Sequence, residues 1–113
     1  FNYFNMIQQI YKKVRENQTD LVTIQSAIYH NLYSELSTHN IPNEVISMTV
    51  GKEGCNFIKK TEVNNLFSIW CNRERNVIEF WGVNPINRQR AMAAILNNLI
   101  FNTSKFQAIK QKD

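Results

Sequence analysis

Residues Ile41 to Gly82 read IPNEVISMTVGKEGCNFIKKTEVNNLFSIWCNRERNVIEFWG, and at the centre two glycines, Gly51 and Gly54, bracket Lys52 and Glu53. A Gly-x-x-Gly alone says little, because glycine serves any turn that needs positive φ. Its neighbours say more. An apolar segment with Val45, Ile46, Met48 and Val50 leads into the loop, and CNFIKKTEV leads out of it with helix-forming residues and apolar positions at Phe57, Ile58 and Val63. The loop therefore joins two predicted helices. Two runs of β type follow, Leu66 to Cys71 and Val77 to Trp81, separated by the polar NRERN and closed by Gly82, which predicts a hairpin. Asn84 and Pro85 then supply an N-cap and a first helical residue, and Ile86, Met92, Ile95, Leu96, Leu99 and Ile100 recur at helical spacing. Arg88 and Arg90 fall on other faces of that helix and read as solvated, while Trp70 and Trp81 read as packing residues on alternating faces of the hairpin rather than as platforms for stacked bases.

The succession of helix, glycine loop, helix, strand, strand and long helix resembles the K-homology (KH) domain of the eukaryotic type. In that family a proline precedes the first loop glycine by nine positions, the separation of Pro42 and Gly51 here. The family's apolar residue in the second helix resembles Ile58, its first apolar residue in the following strand resembles Ile69, and IEFWG resembles the third strand with its closing glycine. Between Gly54 and Ile58 there is one residue more than the usual spacing, unless Phe57 takes that role, and Ser47 stands where the family often has glycine. The resemblance covers roughly residues 37–101 and implies an α+β fold, a three-stranded antiparallel sheet packed against three helices, preceded by two additional helices. It also requires a first strand from LSTHNI, Leu36 to Ile41, a segment that propensity alone would not make a strand.

Residues 1–36 read as a helical extension of two helices. Tyr3, Met6, Ile7, Ile10, Tyr11 and Val14 make one apolar stripe, the polar NQTD from Asn17 to Asp20 breaks it, and Leu21, Ile24, Ile28, Leu32 and Leu36 make another, with Ala27 and Tyr29 beside it. The stripes either cover the sheet or final helix and enlarge the core, or form a surface for a second protomer, a partner or a neighbouring domain. In one version of the latter, Phe1 to Glu16 ends a preceding KH-like repeat. From Asn102 the apolar rhythm is lost, and residues 102–113 are expected to fray into a partly ordered tail with Phe106 and Ile109 giving one more helical turn.

With 113 residues, 43% hydrophobic and 12% aromatic, the chain can bury one ordinary core, so a single domain is the default. It starts at Phe1 rather than methionine and reads as a piece of something longer. No apolar run approaches a membrane span, and the first residues lack the basic, apolar, small-residue order of a signal peptide. Cys55 and Cys71 are too few and too unpatterned for a disulfide framework or a zinc site, which fits a reducing, intracellular compartment, cytoplasmic or nuclear. His30 and His39 have no cysteine or carboxylate at metal-ligand spacing, so no metal or cofactor is expected. No serine or cysteine stands beside a histidine, no carboxylates pair and no phosphate loop ends in Gly-Lys-Ser/Thr, so no catalytic residue is assigned. Net charge is +4, unevenly distributed. Up to residue 50 three basic residues face four acidic ones, and from residue 51 ten face five, an excess that favours a polyanionic partner.

The resemblance implies single-stranded RNA, or single-stranded DNA, as that partner. The sugar-phosphate backbone would be clamped by Gly51, Lys52, Glu53 and Gly54, with bases in an apolar groove floored by Ser47, Met48, Val50, Ile69 and Cys71. Lys52 would pair with phosphate, and Lys59, Arg73 and Arg75 would edge the groove. Glu53 works against this by placing a carboxylate where a phosphate should come, and Glu74 dilutes Arg73 and Arg75 likewise. The alternative is a degenerate KH domain with little nucleic-acid affinity, acting in protein–protein interaction or dimerisation through its N-terminal helices.

Overall fold

The computed structural model describes residues 3–111. Phe1, Asn2, Lys112 and Asp113, which the sequence reading of the two termini takes in, lie outside the described residues. Five α-helices and three strands follow in the order α1 (Tyr3–Arg15), α2 (Leu21–Tyr29), β1 (Tyr33–Ser37), α3 (Asn43–Val50), α4 (Cys55–Val63), β2 (Ser68–Asn72), β3 (Val77–Trp81) and α5 (Pro85–Gln111), with one 3-10 turn at Lys52–Gly54. The strands form one antiparallel sheet in the order β1-β3-β2, with Tyr33 and Ser68 both opposite Trp81, and Glu35 and Trp70 both opposite Glu79. The fold is α+β.

Strand alternation divides the sheet into two covered faces. Ile69, Ile78 and Phe80 point to one side, where they pack with Val45 of α3, Phe57 of α4 and Ala91, Ile95 and Leu99 of α5. Tyr33 and Trp81 point to the other, where Met6, Ile10 and Val14 of α1 and Ile24 and Ala27 of α2 close over them, with Phe67 and Trp70 alongside. Central strand β3 is therefore buried along its whole length. The N-terminal stripes do cover the sheet, on the face opposite the other three helices. Tyr11 stacks on Phe67 at 3.8 Å between ring centroids.

Four readings need correction. Leu32 and Leu36 do not extend α2: the helix stops at Tyr29, and the first strand is Tyr33–Ser37 rather than Leu36 to Ile41. The stop is a Schellman motif, in which Asn31 takes positive φ (58°), its N–H bonds to the Ile28 carbonyl and the Leu32 N–H bonds to the Ala27 carbonyl. Trp70 and Trp81 share the outer face, because Trp70 pairs with Glu79, two residues before Trp81 on the same strand. Arg88 is not solvated but 2% exposed. Finally, α5 does not fray at Asn102; it continues to Gln111, with Phe106 packed against the inner core and the Thr103 hydroxyl donating to the Leu99 carbonyl.

Asparagine supplies most of the left-handed backbone positions among the described residues. The non-glycine residues of positive φ among those described are Asn17, Asn31, Asn40, Asn65, Asn76 and Glu53. Asn17 and Asn65 end α1 and α4 by the motif that Asn31 uses for α2. At the start of α5 Asn84 accepts from the Ile86 and Asn87 N–H groups and Pro85 occupies the first position, as the sequence pattern predicts. No helix among the described residues is long and apolar enough to cross a membrane.

Candidate functional site

The Gly51–Gly54 loop is a tight connection in which three of the four residues take positive φ. Gly51 lies at φ 85°, ψ 166°, Glu53 at φ 55° and Gly54 at φ 75°. The two glycines serve different purposes. A Cβ on Gly51 would stand 2.9 Å from the Cys55 Sγ and 3.0 Å from the Asn56 backbone nitrogen, so Gly51 lets α3 end against the first turn of α4. A Cβ on Gly54 would meet nothing nearer than Ile58 Cδ1 at 4.0 Å, so there the requirement is conformational and the space above the backbone stays open. Lys52 and Glu53 are both exposed, and their N–H groups lie in the first turn of the 3-10 segment, where its own carbonyls cannot reach them.

Behind the loop a polar brace fixes the helices. Asn56 of α4 donates through its amide to the Thr49 carbonyl at 2.8 Å and to Asn98 Oδ1 of α5 at 3.1 Å. The buried Thr49 hydroxyl donates to the Val45 carbonyl and accepts from the Asn102 amide at 3.0 Å. The last turn of α3, the first of α4 and the middle of α5 thus hold one another, and the loop is presented by a rigid frame.

Beside the loop an open groove of about 330 Å³ is lined by Val50, Gly54, Phe57, Ile58, Ile69, Trp70, Cys71 and Arg73. It runs between α4 and the edge strand β2. Of the residues predicted from sequence, Val50, Gly54, Ile69, Cys71 and Arg73 line it, and Gly51, Lys52 and Glu53 complete the loop at Gly54. Ser47 and Met48 are exposed on α3 but do not line the groove, and neither does the exposed Lys59 of α4. Phe57 and Ile58 divide the role left open in the sequence: Phe57 is buried in the core, and Ile58, 56% exposed, gives its side chain to the groove. The extra residue after Gly54 is thereby absorbed, and Phe57 rather than Ile58 is the core residue of α4. Arg73 leans across to α3, donating to Asn43 Oδ1 at 3.3 Å. Burial pushes the Cys71 thiol above its ordinary range, partly opposed by the positive charge of Arg73.

Arg75 does not belong to this groove. Its guanidinium folds over the outer face of the sheet, donating to Glu35 Oε1 and to the Tyr33 hydroxyl, each at 3.1 Å, and standing 3.6 Å from Glu79 Oε2. Glu79 is fully buried, and its oxygens also accept from Trp81 Nε1 and Asn72 Nδ2, each at 3.1 Å. Arg75 is thus the counter-charge of a buried carboxylate, with its donors committed to the fold. Two arginines separated by one residue read alike in sequence; both lie in the turn after β2 rather than in a strand, and that turn sends their side chains to different sides.

No protein-family model matches the chain, and neither a curated protein nor a solved structure matches it.

Proposed function

We propose that this chain is a single-stranded RNA-binding module of KH type, which clamps sugar-phosphate backbone at Gly51–Gly54 and seats bases in the groove between α4 and β2. The observation that carries the reading is the position of the loop: the glycine turn, with Lys52 exposed and the space over Gly54 open, stands at an apolar groove rimmed by Arg73. An anion meets unsatisfied N–H groups and a lysine there, while a base passing into the groove meets Val50, Ile58, Ile69 and Cys71. The succession from β1 to α5 and the antiparallel sheet backed by three helices agree with what the KH resemblance implies. Glu53 lowers the affinity without closing the site, since it is exposed and water screens its charge.

The test is binding of a randomised short single-stranded RNA pool at low and at moderate salt. Lys52→Asp should weaken it, Glu53→Gly should strengthen it and salt should reduce it, with a log–log slope of about 0.7 per phosphate contacted. Binding indifferent to both substitutions would sink the reading.

A second reading, a protein-interaction module, rests on the apolar residues that α1 and α2 leave in solvent: Phe4, Leu21, Val22 and Tyr29 are each at least 65% exposed. Self-association of the chain abolished by Val22→Asp and Tyr29→Asp, with no RNA binding at low salt, would favour it.

A further inference from the structure

The groove continues along β2 toward the start of that strand. Next to it lies an open hollow of about 220 Å³, walled by Ile58, Thr61 and Glu62 of α4 on one side and by Phe67, Ser68 and Ile69 on the other, so the two spaces share Ile58 and Ile69. A glycine clamp of this type holds about four nucleotides of backbone, and for a longer RNA this hollow is the continuation of the groove.

At Phe67 the N-terminal helix reaches that path. Tyr11 of α1 stacks on the ring, and the guanidinium carbon of Arg15, one helical turn further on, stands 5.4 Å from the ring centroid. A contact of this kind engages the face of a guanidinium and leaves its N–H donors, which lie in the guanidinium plane, open to other acceptors. Arg15 is exposed and makes no ion pair or side-chain hydrogen bond among the described residues. Lys13, two residues earlier, differs on both counts. It stands 3.8 Å from Asp20 and lines the hollow between α1 and α2, on another face of the helix. Glu16 offsets part of the charge at this end of α1, and it too is exposed.

We infer that α1 is an arm of the RNA site, in which Arg15 takes a phosphate beyond the nucleotides held at the glycine loop; the inference rests on the reading of the main groove as an RNA site. The guanidinium, set against Phe67, offers two parallel N–H donors to the phosphate oxygens. Glu62 on the facing wall repels an anion, which keeps the backbone on the Phe67 side of the hollow and turns the base toward Ile58 and Ile69. The N-terminal extension thereby lengthens the RNA that the chain recognises.

The experiment titrates randomised RNAs of four and eight nucleotides by fluorescence anisotropy against wild type, Arg15→Gln and Lys13→Gln. Both substituted residues are exposed, so neither change opens the core. Arg15→Gln should bind the eight-nucleotide RNA about three- to fivefold more weakly than wild type. Its log–log salt slope on that RNA should be smaller by about 0.7, the share of one phosphate contact. On the four-nucleotide RNA the two proteins should bind equally. Comparing proteins on one RNA removes the advantage that a longer RNA has from its additional registers. Lys13→Gln takes the same charge from another face of α1 and should match wild type at both lengths. Equal binding of the longer RNA by wild type and Arg15→Gln would overturn the arm and leave the main groove standing. A loss equal at both lengths, or a loss shared by Lys13→Gln, would do the same, since it would mark a structural role or a bulk-charge effect. Absence of saturable binding by wild type at either length would overturn both.

Discussion

Arg88 of α5 donates through its Nη2 to the side-chain oxygen of Asn31 at 2.6 Å, joining the last helix to the left-handed residue that ends α2. The same guanidinium bonds the Asn31 carbonyl at 2.8 Å, the Ser34 hydroxyl at 2.9 Å and the Gly82 carbonyl. All of these acceptors are neutral, so the charge is stabilised by dipoles alone. Burial accordingly draws the Arg88 pKa below its ordinary value, a shift that the nearby Tyr11 opposes. One side chain ties the α2–β1 turn, β1 and the β3–α5 turn into a single corner.

Arg88→Ala leaves those acceptors without a donor and should cost about 3 kcal/mol of stability. Asn31→Gly keeps the left-handed backbone and loses one hydrogen bond, so it should cost only about 1 kcal/mol. Urea denaturation midpoints of the two variants check the ranking, which an equal effect would refute.

The two loop glycines should differ in the same assay. Gly51→Ala meets both a backbone region that glycine alone enters readily and a contact of 2.9 Å with Cys55 Sγ, and should cost about 3 kcal/mol. Gly54→Ala meets only the positive φ and should cost about 1 kcal/mol. Glu53→Gly, which relieves φ 55° on a non-glycine residue, should stabilise by about 0.5 kcal/mol.

Arg73 and Arg75 should separate cleanly into binding and folding. Arg75→Gln strips the buried Glu79 carboxylate of its counter-charge and should cost about 3 kcal/mol. Arg73→Gln should change stability by less than about 0.5 kcal/mol, because the residue is exposed. It should instead weaken RNA binding and flatten its salt dependence. Paired denaturation and anisotropy titrations on the two variants decide the matter, and reversed roles would remove Arg73 from the site.

Stability should fall above about pH 10. The hydroxyls of Tyr33 and Tyr11 are both pushed above the ordinary tyrosine range, chiefly by burial, with Tyr33 further raised by Glu79 and Glu35 against the pull of Arg75. Both groups hold protons in the folded chain that the unfolded chain releases near pH 10, so their stabilising share is complete below that pH and is lost as pH rises. Denaturation midpoints at pH 8 and pH 11 should show the fall, and Tyr33→Phe should reduce it.

A chain beginning at Leu32 should not behave as a free-standing domain. Without α1 and α2 the outer face exposes Tyr33, Phe67, Trp70 and Trp81 together. Dye binding and size-exclusion chromatography should report apolar surface and association; a monodisperse monomer would show that the chain from Leu32 onward suffices.

The inner half of this architecture is legible in the sequence because it follows simple periods. Val45, Phe57, Ile69, Ile78, Phe80, Ile95 and Leu99 lie at helix or strand spacing and meet in one core. The first strand is hidden for the same reason: Leu32 and Leu36 continue the spacing of Ile24 and Ile28, and only Asn31, a polar residue willing to turn left-handed, marks the end of α2. The Gly-x-x-Gly and its approaching proline locate the loop, and β-type alternation places Ile69 and Cys71. What the sequence does not disclose is partnership across distance. Nothing local to Arg88 announces Asn31, and nothing local to Arg75 announces Glu35, so Arg88 reads as solvent-facing charge and Arg75 as an edge of the RNA groove.

The sheet order also has a bearing on how the chain is made. Its central strand, β3, is the last of the three to leave the ribosome, so β1 waits for Trp81 before Tyr33 gains a neighbour. Until then α1, α2 and β1 have no sheet to cover, and their apolar residues are open to other nascent chains. The β2–β3 hairpin, by contrast, closes over a short turn and can form as soon as it emerges. Assembly is therefore expected to start with the β2–β3 hairpin and to recruit α1, α2 and β1 onto it, which makes the α1–α2 segment the part of this fold most in need of a chaperone during synthesis.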